Sequence, residues 1–157
     1  MTPPGPKRPL DTMPPELVQF LLGGQTCVVA TVDEEHKPMT TLMTWVVARN
    51  PSTLTIAVDV RGRALRNLRQ SPSVAVEVLG DDLCFGLRGT AVIETETMLS
   101  VPFPCALVSV HIEECRNHGA QGVKFFGPRY HFEPGKEHRS AAEQTVFAEL
   151  KGPAPTI

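Results

Sequence analysis

The sequence predicts a mainly β domain folded as a small antiparallel barrel. Six segments are rich in β-branched and apolar residues and are separated by short turns, which is the pattern of consecutive antiparallel strands. A single helix is predicted between the strands, whereas parallel strands need repeated crossover helices. The chain of 157 residues, 41% of them hydrophobic, is long enough for one core and short for two domains.

The chain opens with a proline-rich arm over residues 1–12, which we predict to be flexible. Pro15 and Glu16 suit the start of a short helix, which a glycine pair then ends. Two strand-like segments, residues 26–32 and 38–48, flank a polar turn and predict a β-hairpin.

The middle of the chain predicts a strand that passes directly into a helix. Residues 53–58 fit a half-buried strand that ends at Asp59. From Arg63 onward the apolar side chains recur at helical spacing, and the Ser71-Pro72 pair ends the predicted helix. The polar side of this helix is predicted to carry Arg63, Arg66, Asn67 and Arg69.

The junction between this strand and this helix predicts a phosphate pocket. A helix start leaves backbone N–H groups unpaired and carries partial positive charge. Gly62 lies there between Arg61 and Arg63, so both backbone and guanidinium donors are available to an anion. A solvated basic helix face is the alternative interpretation of the same pattern.

The second half of the chain continues the strand pattern and ends in a helix. Three further segments are predicted as strands: residues 74–79, 83–94 and 106–112. Ser140 and Glu143 have the spacing of a capping box and predict a final helix over residues 141–150. Residues 151–157 are predicted to be a loose tail, which leaves 13–150 as one domain.

Charge and cysteine usage narrow the possible partners and the compartment. The net charge of −2 gives no general attraction for nucleic acid, and no apolar run is long enough to span a membrane. The four cysteines form no close pair and predict buried thiols: Cys27, Cys84, Cys105 and Cys115. Without an apolar leader segment, the cytoplasm is the expected location. The histidines and cysteines lack zinc-motif spacing, so no metal site is predicted.

Three stretches in this order resemble the pyridoxamine 5'-phosphate oxidase-like FMN-binding split-barrel family: CVVATVDEEHKPMTTLMTWVVA, TLTIAVDVRGRALRNLRQSPSVAVEV and LRGTAVIE. The resemblance covers roughly residues 13–115. Its most telling part is the R-N-L segment Arg66-Asn67-Leu68 followed by Pro72, and Arg88-Gly89-Thr90-Ala91 matches a G-x-A element of the family. Many relatives carry a lysine at the position of Ala64, and this chain lacks it.

The resemblance implies a fold, a cofactor and a site. The fold would be a six-stranded antiparallel split β-barrel with a few short flanking helices, paired into a homodimer that holds FMN in a groove between subunits. The strand-to-helix junction would bind the phosphate through Arg61, Gly62, Arg63, Arg66 and Asn67. The flavin ring would lie against the hairpin strand at Met39, Thr40, Thr41, Leu42, Met43 and Thr44.

The function implied by this resemblance is an FMN-dependent oxidoreductase acting on a small molecule. Electrons would pass from a reduced nicotinamide donor to a small acceptor, and neither nucleic acid nor membrane is expected as a partner. No catalytic acid or base is predicted, because flavin chemistry depends mainly on positioning the cofactor. The alternatives are a non-catalytic flavin- or haem-binding split barrel and a deazaflavin-dependent reductase.

Overall fold

Seven strands and three helices follow one another along residues 8–153, the part of the chain that the computed structural model describes. The elements are α1 (Pro15–Phe20), β1 (Cys27–Val32), β2 (Pro38–Met43), β3 (Val46–Asn50), β4 (Thr53–Asp59), α2 (Arg63–Gln70), β5 (Ser73–Gly80), β6 (Leu83–Thr95), β7 (Cys105–Asn117) and α3 (Arg139–Lys151). The strands form one sheet in the order β2-β1-β5-β6-β7-β4-β3, and every neighbouring pair is antiparallel.

The sheet curls into a barrel that is split between β2 and β3. These two strands lie at opposite edges of the sheet, although only Thr44 and Trp45 separate them in sequence. No ladder joins β2 to β3 within residues 8–153. The prediction of a mainly β, antiparallel split barrel is therefore confirmed.

The barrel has seven strands, so the predicted number of six was wrong. The predicted strand over residues 38–48 is broken at Thr44 and Trp45, whose carbonyls accept hydrogen bonds from different neighbours. The Thr44 carbonyl accepts one from the Gly24 N–H at 2.9 Å, and the Trp45 carbonyl one from the Ala57 N–H at 3.1 Å. The chain before the break therefore stays with β1, and the chain after it pairs with β4.

The barrel interior forms the main hydrophobic core. The buried, inward side chains of the strands alternate with more accessible ones, as in β5, where Val74, Val76 and Val78 are buried and the residues between them are half-buried. Leu17 of α1 and Leu65 of α2 are 0% and 1% exposed and belong to the same cluster. Each helix therefore packs its apolar stripe against the barrel, which fixes the position of the start of α2.

A second, smaller core lies on the outside of β3, β4 and β7, where α3 packs. Val146, Phe147 and Leu150 of α3 contact residues of these strands there. The Phe147 ring lies only 2.3 Å from where a Cβ on Gly23 would be, and Gly23 has a φ of +103°. Glycine is therefore required at this position both for space and for backbone conformation.

The final helix was predicted at the right place but for the wrong reason. It spans Arg139–Lys151, and its cap residue His138 makes no side-chain hydrogen bond. Ser140 lies inside the helix, so the predicted capping box does not form. Glu143 instead accepts hydrogen bonds from Trp45 and Tyr130. β7 is also longer than predicted, because residues 113–117 continue its pairing with β6.

The four cysteines are free and buried, as predicted. Burial raises the pKa of the Cys27 thiol to about 12.

Among residues 8–153, no helix is long and apolar enough to cross a membrane. Leu10 pairs with Cys115 through two backbone hydrogen bonds of 2.8 and 2.7 Å. Residues 1–7 and 154–157, which belong to the predicted arm and tail, lie outside the described part of the chain.

Candidate functional site

A groove opens where the barrel is split. It has a volume of about 310 Å³ and is called the split groove here. The end of β2, the end of β4 and the connection before β7 supply its lining, which consists of Thr41, Leu42, Met43, Thr44, Trp45, Ala57, Val58, Asp59, Phe103 and Cys105. The broken hairpin strand and the strand-to-helix junction therefore meet in one groove.

An aromatic pair forms one wall of the split groove. The Trp45 and Phe103 rings stack with centroids 5.6 Å apart and planes inclined by 21°. The Trp45 indole Nε1 donates a 2.6 Å hydrogen bond to Glu143 Oε2, which holds the ring from the side of α3. Trp45 is thus both part of the packing under α3 and a groove residue. Phe103 lies between two prolines, where no periodicity could have predicted its role.

Arg61 contacts two residues of the split groove, Asp59 and Phe103, and is held by Asp59. The Asp59 carboxylate accepts the Arg61 backbone N–H at 2.8 Å and two guanidinium hydrogen bonds at 3.0 and 2.8 Å. These bonds lower the pKa of Asp59. The Arg61 guanidinium also lies 5.7 Å from the centroid of the Phe103 ring. The positive charge of Arg61 is therefore already partly neutralised by the Asp59 carboxylate.

A second pocket, of about 240 Å³, lies between α2 and the turn that joins β1 to β2. We call it the arginine pocket; it is lined by Asp33, Glu34, Glu35, Lys37, Arg63, Arg66, Asn67 and Gln70. Within residues 8–153, neither Arg63 nor Arg66 is within ion-pair distance of a carboxylate. Arg69, on the same helix, pairs with Glu96 at 2.5 Å.

The turn side of the arginine pocket is acidic. Asp33 accepts backbone hydrogen bonds from Glu35 and Lys37 at 2.8 and 2.9 Å, and the bond from Lys37 is the main cause of its lowered pKa. Lys37 pairs with Glu35 at 2.8 Å. Three cationic and three acidic side chains line the pocket, so anion binding there would depend on donor geometry rather than on net charge.

The start of α2 is uncapped and accessible. Gly62 is the cap residue, and it has no side chain to bond to the N–H groups of the first turn. A Cβ on Gly62 would meet only the Asp59 carbonyl oxygen, at 3.4 Å, so local sterics do not require glycine there. An exposed glycine at an uncapped helix start lets an anion approach the backbone closely.

Asn67 is buried, which contradicts its predicted place on the polar face of the helix. It is 4% exposed, and its Nδ2 donates to Thr31 Oγ1 at 3.0 Å. A buried amide needs such a partner, so Asn67 ties α2 to β1. Ala64 is also buried, at 5% exposure, and offers no donor to the arginine pocket.

The predicted site residues therefore fall into two groups joined by β2. Thr41, Leu42, Met43 and Thr44 line the split groove, whereas Arg63, Arg66 and Asn67 line the arginine pocket. Arg61 and Gly62 lie between the two groups in sequence. Met39 packs against the main core and Thr40 is exposed, and neither lines the split groove.

These two groups fit the two ends of FMN. Two unpaired guanidinium groups and an uncapped helix start suit a phosphate. An aromatic and apolar wall beside the exposed edge of β2 suits a flat ring system with polar edges.

The pyridoxamine 5'-phosphate oxidase family model matches residues 13–125, which is most of the chain and includes both groups of residues. The chain belongs to the pyridoxamine 5'-phosphate oxidase family. None of the curated proteins matches the sequence of this family member significantly.

Solved structures share the fold of this member of the pyridoxamine 5'-phosphate oxidase family. HupZ of Group A Streptococcus is 20% identical, with a TM-score of 0.59 over 73% of this chain and 100% of HupZ. General Stress Protein 26 of Bacillus anthracis is 19% identical, with a TM-score of 0.52 over 65% and 91% of the two chains. An FMN-binding protein of Syntrophomonas wolfei is 13% identical, with a TM-score of 0.51 over 67% and 86%. At these identities the likeness concerns the fold alone.

Proposed function

We propose that this protein is an FMN-dependent oxidoreductase that passes electrons from a reduced nicotinamide donor to a small acceptor. One observation carries the proposal: Arg63 and Arg66 lie unpaired beside the uncapped start of α2, in a chain of this family. Arginines held close to carboxylates, such as Arg69, would be poor phosphate ligands because their charge is already used.

In this proposal the chain's own residues bind and orient the cofactor. Arg63, Arg66 and the first N–H groups of α2 hold the phosphate, and the split groove holds the ring. When bound, FMN supplies the capacity to accept and pass on a hydride or single electrons. The wall formed by Trp45 and Phe103 shields one side of the ring from water and limits the space left for a substrate.

We propose that the active form is a homodimer whose interface includes barrel strands near the split groove. Leu42 of β2 is 67% exposed at the edge of the groove, and a second chain there would bury it and narrow the opening. Sedimentation at micromolar concentration tests this, and a monomer would contradict it.

The four free thiols favour the reducing cytoplasm as the location of the protein.

The cofactor is tested through the fluorescence of Trp45, the single tryptophan of the chain. Titration with FMN is expected to quench this fluorescence with saturation at one FMN per chain, because the ring would lie against the aromatic wall. Riboflavin lacks the phosphate and is expected to bind more weakly. Equal affinity for FMN and riboflavin would show that the arginine pocket does not bind the phosphate.

The reaction is tested by mixing the loaded protein with reduced nicotinamide and following the loss of its absorbance. Reduction faster than that of the same concentration of free FMN would support the oxidoreductase. If FMN binds and is reduced no faster than free FMN, the reaction part of the proposal fails and a flavin-binding role is left. If FMN does not bind, the cofactor part fails, and deazaflavin and haem are titrated by the same signal.

A further inference from the structure

Glu77, Cys84 and His118 come together on the outer face of the barrel, away from the split groove. Glu77 pairs with Gly86 across the β5–β6 ladder, and Leu79 pairs with Cys84, so Glu77 and Cys84 lie on one face of the sheet. His118 directly follows β7, and its backbone N–H donates to the Cys84 carbonyl at 2.8 Å. Backbone pairing therefore brings three parts of the chain to one point.

Glycine at position 86 allows the His118 ring to lie against the sheet. A Cβ at Gly86 would be 2.2 Å from His118 Cε1, which no real contact permits. The ring directs Nδ1 at the Glu77 carboxylate, 2.8 and 3.0 Å from its two oxygens. The Cys84 Sγ lies 3.4 Å from the same Oε1. All three ligand atoms lie within 4.8 Å of one another.

The separation of the Cys84 sulfur and the Glu77 oxygen suits a tetrahedral metal ion. Zn²⁺ binds sulfur, nitrogen and carboxylate oxygen at about 2.0–2.3 Å, which places the ligand atoms of a tetrahedron roughly 3.3–3.7 Å apart. The oxygen and sulfur already have this spacing. The His118 Nδ1 lies closer to the Glu77 Oε1 than two ligands of one ion would, at 2.8 Å. Because His118 is exposed, its ring can move outward by this difference without moving a strand.

The surroundings provide access for an ion. A groove of about 420 Å³ leads to Glu77 and His118 along the faces of β1, β5 and β6. The two arginines that line this groove, Arg88 and Arg116, both bond to Glu114, at 3.3 and 2.7 Å, so their charge is partly compensated. This groove shares no lining residue with the split groove.

We propose that Glu77, Cys84 and His118 form a binding site for a Zn²⁺-type transition-metal ion, with a fourth position open to water or a ligand. The mixed set of one thiolate, one imidazole and one carboxylate selects transition metals over Mg²⁺ and Ca²⁺, which prefer oxygen ligands alone. Binding forms a metal–sulfur bond and releases the Cys84 thiol proton to solvent. The site is independent of the proposed flavin function.

The site is tested with Co²⁺ as a spectroscopic substitute for Zn²⁺. The full chain without an affinity tag, reduced and freed of metals by a chelator, is titrated with Co²⁺. We expect saturation at one ion per chain, with a thiolate-to-cobalt charge-transfer band and the visible absorption of tetrahedral Co²⁺. Added Zn²⁺ should then displace Co²⁺ and abolish the visible absorption, because Zn²⁺ binds such ligands more tightly. Absence of the charge-transfer band would overturn the proposal.

Matched variants identify the ligands. His118→Gln changes an exposed side chain and is expected to weaken Co²⁺ binding at least tenfold, whereas Cys84→Ser should abolish the charge-transfer band. His111→Gln and Cys115→Ala remove an exposed histidine and a buried cysteine elsewhere and should leave the spectrum unchanged. Equal loss of the signal in these controls would overturn the assignment.

A further variant keeps the test decisive if Cys84→Ser does not fold. Gly86→Ala removes no ligand but places a methyl group where the His118 ring lies. It is expected to weaken Co²⁺ binding at least tenfold while the circular dichroism spectrum stays that of the parent. Unchanged Co²⁺ affinity in both Gly86→Ala and His118→Gln would exclude His118 as a ligand and overturn the site.

Discussion

The indole of Trp45 and the carboxylate of Glu143, 98 positions apart in sequence, are joined by a hydrogen bond of 2.6 Å. This bond connects the point where the barrel splits to the helix that covers its outside. Tyr130 donates to the same carboxylate at 3.0 Å. Glu143 therefore links the split groove, α3 and the connection that precedes α3.

Glu143→Ala is expected to destabilise the protein by about 1–3 kcal/mol, because the partly buried indole N–H loses a charged acceptor. Urea unfolding measures the loss. Gln144→Ala, at the next and exposed position, is the control and should change stability by less than about 0.5 kcal/mol. Equal stability of the two variants would mean that the bond contributes nothing.

The same substitution has a second readout in Tyr130, the only tyrosine of the chain. Burial, and then the hydrogen bond to Glu143, raise the pKa of Tyr130 to about 12. Removing Glu143 should lower this pKa but leave it above the ordinary value of 10.0, because burial is the larger cause. Ultraviolet absorbance titration measures it.

Replacing Arg63 and Arg66 together by alanine is expected to weaken FMN binding with little loss of stability, because both side chains are exposed and unpaired. Each lost charge-assisted bond should cost about 1.5–3 kcal/mol, roughly ten- to a hundredfold in affinity. Titration of Trp45 fluorescence gives the affinity. Arg69→Ala, on the same helix but paired with Glu96, should bind FMN like the parent.

Breaking the bond between Asn67 and Thr31 should loosen α2 from the barrel. Asn67→Ala and Thr31→Val each leave a buried polar group unpaired, and each should destabilise by about 1–3 kcal/mol. The double variant should cost less than the sum of the two, because no orphaned partner is left. Additive losses in urea unfolding would show that the two side chains do not interact.

Stability should fall at alkaline pH because burial raises the pKa of all four cysteines, and Cys27 should contribute most, since its pKa is raised furthest. The pKa of its thiol rises from 9.0 to about 12 on folding, so the unfolded chain ionises first as the pH increases. The contribution is fully present below pH 9 and is lost as the pH rises toward 12; at pH 10 it has fallen by about 1.4 kcal/mol. The unfolding midpoint of Cys27→Ala should therefore decline less between pH 8 and pH 10 than that of the parent.

Patterns local in sequence predicted most elements of this fold. Alternating apolar residues fixed which faces of the strands are buried, and the Arg63–Gln70 helix ends before Pro72 because a residue preceding proline disfavours helical geometry. The sequence also predicted that Arg63 and Arg66 lie near the start of this helix, on its polar side. That neither arginine forms an ion pair could not be predicted, since ion pairing depends on how the loops that lie nearby are arranged.

The sequence by itself determined the strand pattern, the strand-to-helix junction and the family. The tertiary structure decided where the chain leaves one edge of the sheet for the other, because the Thr44 carbonyl bonds to Gly24, before β1, and the Trp45 carbonyl bonds to Ala57 of β4. It also decided that Asn67 is buried and donates a hydrogen bond to Thr31. Glu143 accepts a hydrogen bond from Trp45 instead of capping a helix. These outcomes join residues far apart in the chain, and no local spacing encodes which distant group satisfies a buried polar atom.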